Sequence, residues 1–462
     1  MILKTSHICL VVVLLAGATL VARVPLVNAA DPQVHTVCAA GCDYATIQAA
    51  LDDSAVVAGA VVQVTDAVHT EAGITVHKSV TIQGQGPDKT IVQAHDTPEE
   101  SLARVFVISE GVTVTIQHMT IRHGRTVDKG EAGGGIKSNG TLTVRNCLVT
   151  GNSATGGGGI SSDGSLIVID STFRDNVARG DGPPGEWCGG GGGIKSSSGT
   201  LQVINSTFTG NRGGQRSKGL GGGIRTGCQC TAEIVNCTIS GNQAAEEGGG
   251  IAASGTVQIV NCTITENSSV TGGGLWVRNK VSLENTIIAN NVRGKDCIIF
   301  SGGHEGLGSL VVNTNNLIGN GNCDADFTGD PRMGPLADNG GATWTHALLP
   351  SSPAIDVVPA ISCTLTTDQR GLPRPVACTS PDTPGDLGAF EVQVGECVPP
   401  TPTALPSATP VPPTREPTSV PATPTPAPVQ TPSNDLLPVW GLLGVLILTL
   451  AGLVIFWLRR RS

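Results

Sequence analysis

Six times between residues 133 and 291 a run of glycines ends on an aliphatic residue, at Ile136, Ile160, Ile194, Ile224, Ile251 and Leu275. The steps between these anchors are 24, 34, 30, 27 and 24 residues. Ten or more residues after each anchor comes a second landmark: Asn146, Asp170, Asn205, Asn236, Asn261 and Asn285. A third follows six residues later, at Asn152, Asn176, Asn211, Asn242, Asn267 and Asn291, and this interval never varies. Most of the change in step length falls between the third landmark and the next glycine run. A fixed motif with insertions at one place describes stacked coils whose loops leave from one edge.

Within each coil the apolar residues alternate in short runs, as in Thr141-Leu142-Thr143-Val144 and Leu201-Gln202-Val203-Ile204, which suits strands with one face inward. None has a helical period. A unit of about 24 residues with short strands separated by bends predicts one turn of a parallel β-helix, with aliphatic residues and Phe173 in its bore. Glycine and asparagine turn the corners, because both enter left-handed backbone geometry at low cost. Sixty-two glycines and 3% aromatic residues fit a fold that uses glycine structurally. The fold class is therefore all-β, a right-handed parallel β-helix over residues 30–322 including an N-terminal cap. In that cap Asp43 is expected to start a short helix whose Ile47 and Leu51 cover the apolar end of the first coil.

The two ends of the chain set its compartment. Lys4, the apolar run from Ile8 and the small residues Val27-Asn28-Ala29 predict a secretory signal over 1–29, an uncleaved anchor being the alternative. Residues 398–435 are built mostly from Pro, Thr, Ser, Ala and Val and predict an extended stalk of roughly 100 Å. Residues 436–458 carry no charge and precede Arg459-Arg460-Arg461, which predicts one transmembrane helix with residues 459–462 as a cytoplasmic tail. The expected location is extracytoplasmic: at the cell surface, anchored by a single pass, the membrane being a partner through this helix.

A net charge of -9 argues against nucleic acid as a partner. Fourteen cysteines in an exported chain permit disulfides, and no spacing makes a zinc pair, so no metal or other cofactor is expected. Expected bridges are Cys38 to Cys42, Cys297 to Cys323 and Cys363 to Cys378. Cys237 and Cys262 share one inward repeat position and are expected to stack as buried thiols.

Three resemblances follow from these residues. The glycine runs with Phe173-Arg174-Asp175-Asn176 and Phe208-Thr209-Gly210-Asn211 resemble the repeats of polymorphic outer membrane proteins. That likeness implies a displayed β-helix, although only two of the six repeats carry Phe and the C-terminal residues are not expected to form an autotransporter barrel. Further on, Gly334 to Gly341, Ser352-Pro353-Ala354-Ile355-Asp356, Asp368-Gln369-Arg370-Gly371 and Gly388-Ala389-Phe390-Glu391 resemble the choice-of-anchor Q domain, over residues 323–397. It implies surface attachment and a module that closes the end of the β-helix. Tyr44 to Leu51 and Val76 to Gly86 are similar to the opening of pectin-acting β-helix enzymes, which implies a pectin-lyase-like solenoid.

The last likeness raises catalysis. Glycosidases and lyases of this shape need acidic or basic groups clustered on one face. Asp52-Asp53 falls in the cap helix, and Asp170 and Asp175 replace corner residues, so each has a structural explanation. His118, Arg122 and His123 remain as catalytic candidates. For binding, the residue after each anchor must face outward, and this row reads Lys137, Ser161, Lys195, Arg225, Ala252, Trp276. Arg125, Lys129, Arg179, Arg212, Arg216, Lys218 and Trp187 in nearby insertions extend it. The expectation is a non-catalytic adhesive or polysaccharide-binding protein whose basic row, with Trp276 and Trp187 as aromatic platforms, tracks an acidic polysaccharide or surface glycan. The alternatives are a polysaccharide lyase or glycoside hydrolase, and a structural envelope component.

Overall fold

In the computed structural model, described residues comprise 32–180, 189–214, 219–301 and 308–397, and all lie in one compact unit, Met1–Thr401. The expected signal, stalk, transmembrane helix and tail fall outside the described residues, as do Trp187, Arg216 and Lys218. The described chain is a right-handed parallel β-helix with almost no helix.

The repeat read from the sequence is the repeat of the structure. Ile136, Ile160, Ile194, Ile224, Ile251 and Leu275 pair in register from coil to coil, every one inaccessible to solvent. The first long sheet has 18 strands, a second has ten, running from Val68–Thr70 to Leu317–Ile318, and a third has four two-residue strands. Alternation sends every second side chain into the bore. Phe173 and Phe208 stack there with centroids 4.8 Å apart and planes 7° from parallel.

Each glycine run crosses from the third sheet to the first as backbone ladder. Gly134 donates to the carbonyl of Gly157, Gly135 to that of Gly158, and Ile136 to that of Gly159. Coils approach so closely here that a Cβ on Gly158 would lie 2.7 Å from the carbonyl oxygen of Gly192 in the next coil. Glycine is therefore required by contact as well as by conformation. Two of the three landmarks now have distinct roles. Asn146, Asp170, Asn205, Asn236, Asn261 and Asn285 hold left-handed φ of 46° to 52° at an outer corner. Asn152, Asn176, Asn211, Asn242 and Asn267 turn inward: the Asn152 side-chain carbonyl accepts the backbone N–H of Gly124, and each of the other four accepts both the backbone N–H and the side-chain amide of the preceding coil's Asn.

At the N-terminal end the cap helix is Ile47–Asp52, and its buried Ile47, Ala50 and Leu51 pack on the first coils. Its N-cap is Thr46, whose hydroxyl accepts from Ala49 N, and Glu71 accepts the N–H groups of Ile47 and Gln48. Asp43 does not start the helix: it lies three residues upstream and accepts from Thr36 instead.

The segment 330–397 lies along the flank of the solenoid rather than across its end. Apart from the antiparallel pair Met333–Ala337 and Thr345–Leu348 and one short 3-10 turn, it is irregular. It covers the outer face of the ten-stranded sheet from Thr207 to Leu317. Gln369 bonds to the hydroxyls of Thr207 and Thr238, His346 to Ser240, and Ala389 N to Thr263. Outward Ile287, Ala289 and Leu317 pack with Leu348, Leu387, Phe390 and Val392. The module's own scaffold is ionic, with Arg370–Asp368 at 2.8 Å and Arg374–Glu391 at 2.7 Å, all four fully or almost fully buried. The Arg370 guanidinium also sits 3.6 Å from the Phe390 ring centre. The open end of the bore is closed instead by Cys297, Ile318 and Cys323, packed with Leu310 and Ala325.

Disulfides join Cys38 to Cys42 and Cys297 to Cys323, and a third joins Cys378 to Cys397. This corrects the expected Cys363–Cys378 bridge. The chain beyond Cys378 folds back and brings Cys397 beside it, while Cys363 is a half-buried free thiol. Cys237 and Cys262 are buried free thiols in adjacent coils, each Sγ donating to backbone carbonyls.

Candidate functional site

The row that follows the aliphatic anchors does form a ladder: Lys137, Ser161, Lys195, Arg225, Ala252 and Trp276 are in register on the first sheet. Its character differs from the expectation at one end. Trp276 is only 3% exposed, since Leu220, Ala252, Ile298 and Phe300 close over it, with the Phe300 ring centre 5.7 Å away. It is a packing residue and not an aromatic platform. Lys137 is ion-paired with Asp163, and Arg225 donates to the carbonyl of Gly189. Much of the row's charge is thus committed within the protein.

An open surface lies on the ten-stranded sheet instead. Its two outward rows alternate around the buried Ile121, Val149, Phe173 and Phe208. One row reads Thr120, Leu148, Thr172, Thr207, and the other Arg122, Thr150, Arg174, Thr209. The flank module covers this face from Thr207 onward. Towards the N-terminus the loop Gly84–Thr90 covers the Thr120 coil, with Thr120 Oγ1 donating to Pro87 O at 2.5 Å and Gly86 N to His118 O. Between the two covers lies a cleft of about 240 Å³. Leu148, Thr172, Arg174, Thr207 and Thr209 floor it, Asn146 and Asp170 form one edge, and Asp88 and Trp344 stand at opposite ends.

Each wall has a local cause. Trp344 is held by its backbone, whose carbonyl accepts from Thr207 Oγ1 at 2.6 Å and Gln369 Nε2 at 3.1 Å, and the residue is 45% exposed at the rim. Asp170 sits at a left-handed corner and accepts from Asn205 Nδ2 at 3.2 Å. Arg174 Nε lies 3.6 Å from the Asp175 carboxylate. Asp88 is exposed and makes no side-chain hydrogen bond or ion pair among the described residues.

The structure gathers His118, Arg122 and His123 around the single strand Thr120–Arg122, one coil from the cleft. His118 and His123 occupy the two left-handed corners that flank this strand, with φ of 57° and 59°. His118 Nδ1 takes the amide of Asn146 at 2.9 Å, His123 Nδ1 contacts the carbonyl of His95 at 3.0 Å, and Arg122 Nε donates to Gln93 at 2.8 Å. Each therefore has a structural partner, and no hydrogen bond joins the three. Among the described residues, no three His, Cys, Asp or Glu side chains converge as metal ligands.

Sequence reasoning missed Asp88, Arg174 and Trp344 as a group. Asp170 carried a signal: it is the carboxylate in a corner row otherwise occupied by Asn from Asn146 onward. Trp344 carried none, because its place over Thr207 depends on a contact 137 residues away in sequence.

The model of the Chlamydia polymorphic membrane protein repeat matches residues 236–254. No curated protein matches the sequence. Among solved structures, the pectate lyase Pel9A aligns with a TM-score of 0.42 at 14% identity, covering 78% of this chain and 96% of that one. The Azotobacter vinelandii mannuronan C-5 epimerase AlgE4 A-module aligns with a TM-score of 0.32 at 16% identity, covering 61% and 88%. The PL6 family alginate lyase AlyGC follows with 0.23 and 12%, covering 64% and 53%.

Proposed function

We propose that the chain is an exported β-helix, held at the cell surface by its C-terminal apolar segment, that binds polysaccharide in the cleft between Asp88 and Trp344. The observation that carries this reading is the exposed Trp344 at the rim of a concave floor lined with hydroxyls and charged groups. Aromatic faces pack against the apolar faces of sugar rings, while Thr172, Thr209, Asp170 and Arg174 supply the donors and acceptors that fix orientation. The site thus belongs to the ten-stranded sheet and not to the basic row on the first sheet. The Chlamydia repeat match supports display at a surface.

A hydrolytic reading draws on Asp88 and Asp170, two carboxylates bordering one cleft, as acid–base glycosidases require. Glycan-array binding of wild type and Trp344→Ala tests the binding reading. It predicts signal on a defined set of glycans that the variant loses. Equal signal from both proteins would remove the cleft from consideration, and release of reducing ends from a bound glycan would favour the hydrolase.

A further inference from the structure

Resting on the assignment of the cleft as a sugar site, we infer that it takes a short, amino-bearing saccharide end rather than the interior of an acidic polymer. Two independent features point there: how the cleft ends, and what charge it holds.

Along the solenoid axis the cleft is blocked at both ends. Thr120 and Thr207 are three coils apart, about 14 Å at ~4.8 Å per coil. Both hydroxyls are already spent on the covering loops, Thr120 on Pro87 O and Thr207 on Trp344 O. A polymer lying along the threonine row would have to displace both covers. The volume of 240 Å³ is below the ~300–1,000 Å³ of ordinary ligand pockets. Such a space suits a chain end of a few rings at most.

The charge is acidic. Asp88 is exposed with no side-chain partner among the described residues, and Asp170 accepts only from Asn205. Arg174, the cation of the floor, faces Asp175. A uronate carboxylate seated at the Asp88 end or along the Asp170 edge would be repelled by the carboxylate there, whereas an ammonium finds an acceptor at either place. The fold does not demand this charge. The other coils from Asn146 to Asn285 place Asn at the corner where Asp170 stands, with φ near 50° throughout. Asp170→Asn therefore restores the corner residue of its neighbours and keeps the geometry while removing the charge.

The test is calorimetric titration of the purified full-length protein with three probes of equal length: a glucosamine trisaccharide, its N-acetylated form and a uronate trisaccharide. A long glucosamine polymer serves as a fourth. The inference predicts that the free amine binds tightest, by roughly tenfold over the N-acetylated form, as one charge-assisted hydrogen bond would give. Asp170→Asn and Asp88→Asn, with unchanged thermal midpoints, each narrow that gap, and the polymer binds no tighter per chain than the trisaccharide. Uronate binding as tight as the amine, an amine preference indifferent to both substitutions, or affinity that climbs with chain length would overturn the inference. In those cases the binding reading survives if Trp344→Ala still abolishes binding. Absence of binding by every saccharide overturns both.

Discussion

Replacing Asn211 by Ala removes the centre of the inward amide ladder. Asn211 is fully buried, and its side chain takes part in four hydrogen bonds. Its Oδ1 accepts from the backbone N–H of Asn176 at 3.1 Å and from that residue's amide at 2.9 Å. Its Nδ2 donates to Phe173 O at 2.8 Å and to Asn242 Oδ1 at 2.9 Å. Alanine leaves the Asn176 N–H, one Asn176 amide hydrogen and the Phe173 carbonyl without these partners in a region closed to water. At about 1–3 kcal/mol for each orphaned group, partly relieved by relaxation, the loss should be near 4 kcal/mol. Asn242 Oδ1 is spared, because the backbone of residue 211 still donates to it. Urea unfolding of the variant should show a lowered midpoint, and amide exchange should accelerate first around residues 173–176 and 211, since a solenoid loses cooperativity locally. A loss under about 1 kcal/mol, the ordinary cost of one exchanged hydrogen bond, would refute the claim that this ladder fastens the coils together.

Trp276→Ala should act on stability, costing about 3–5 kcal/mol for a buried aromatic, with no change in glycan binding; thermal melts and array binding separate the two. Peptide mapping of denatured, non-reduced protein should find Cys363 alkylated and Cys378 linked to Cys397; a Cys363–Cys378 peptide would contradict the fold of the flank module. Burial, with the Glu391 charge adding to it, pushes the Asp386 carboxyl up to about 7. The folded state then holds a proton that the unfolded chain releases above about 4, so this group's stabilisation is complete below that pH and is lost as pH rises through about 7. The stability of Asp386→Asn relative to wild type should therefore rise between pH 4 and pH 8, by up to about 4 kcal/mol, and a flat difference would show that Asp386 is ionised throughout.

The solenoid was legible in the sequence because one structural unit recurs. Any departure at one coil can be read against five others, which is how the anchors from Ile136 to Leu275 fell into register. The repeat also separated an outer corner, where Asp170 stands, from an inner ladder, where Asn176 does. What it did not reveal was how residues outside the repeat cover its outer faces. Alternation sent Trp276 outward from the bore, but outward is not exposed: Leu220 and Phe300 roof it from neighbouring insertions. In the same way, Thr207, Thr238 and Thr263 read as a solvated strand face until the flank module takes up their hydroxyls through Trp344, Gln369 and Ala389. The cleft exists because that module stops at Thr207 and a loop from the second coil stops at Thr120. Neither end has a periodic signature.

A crystal structure of the protein soaked with a glycan selected on the array would test the central claim most directly. The account predicts sugar density between the Pro87–Asp88 loop and Trp344, stacked on the indole and within hydrogen-bond distance of Asp170. Density along Lys137, Lys195 and Arg225, with the cleft empty, would contradict it.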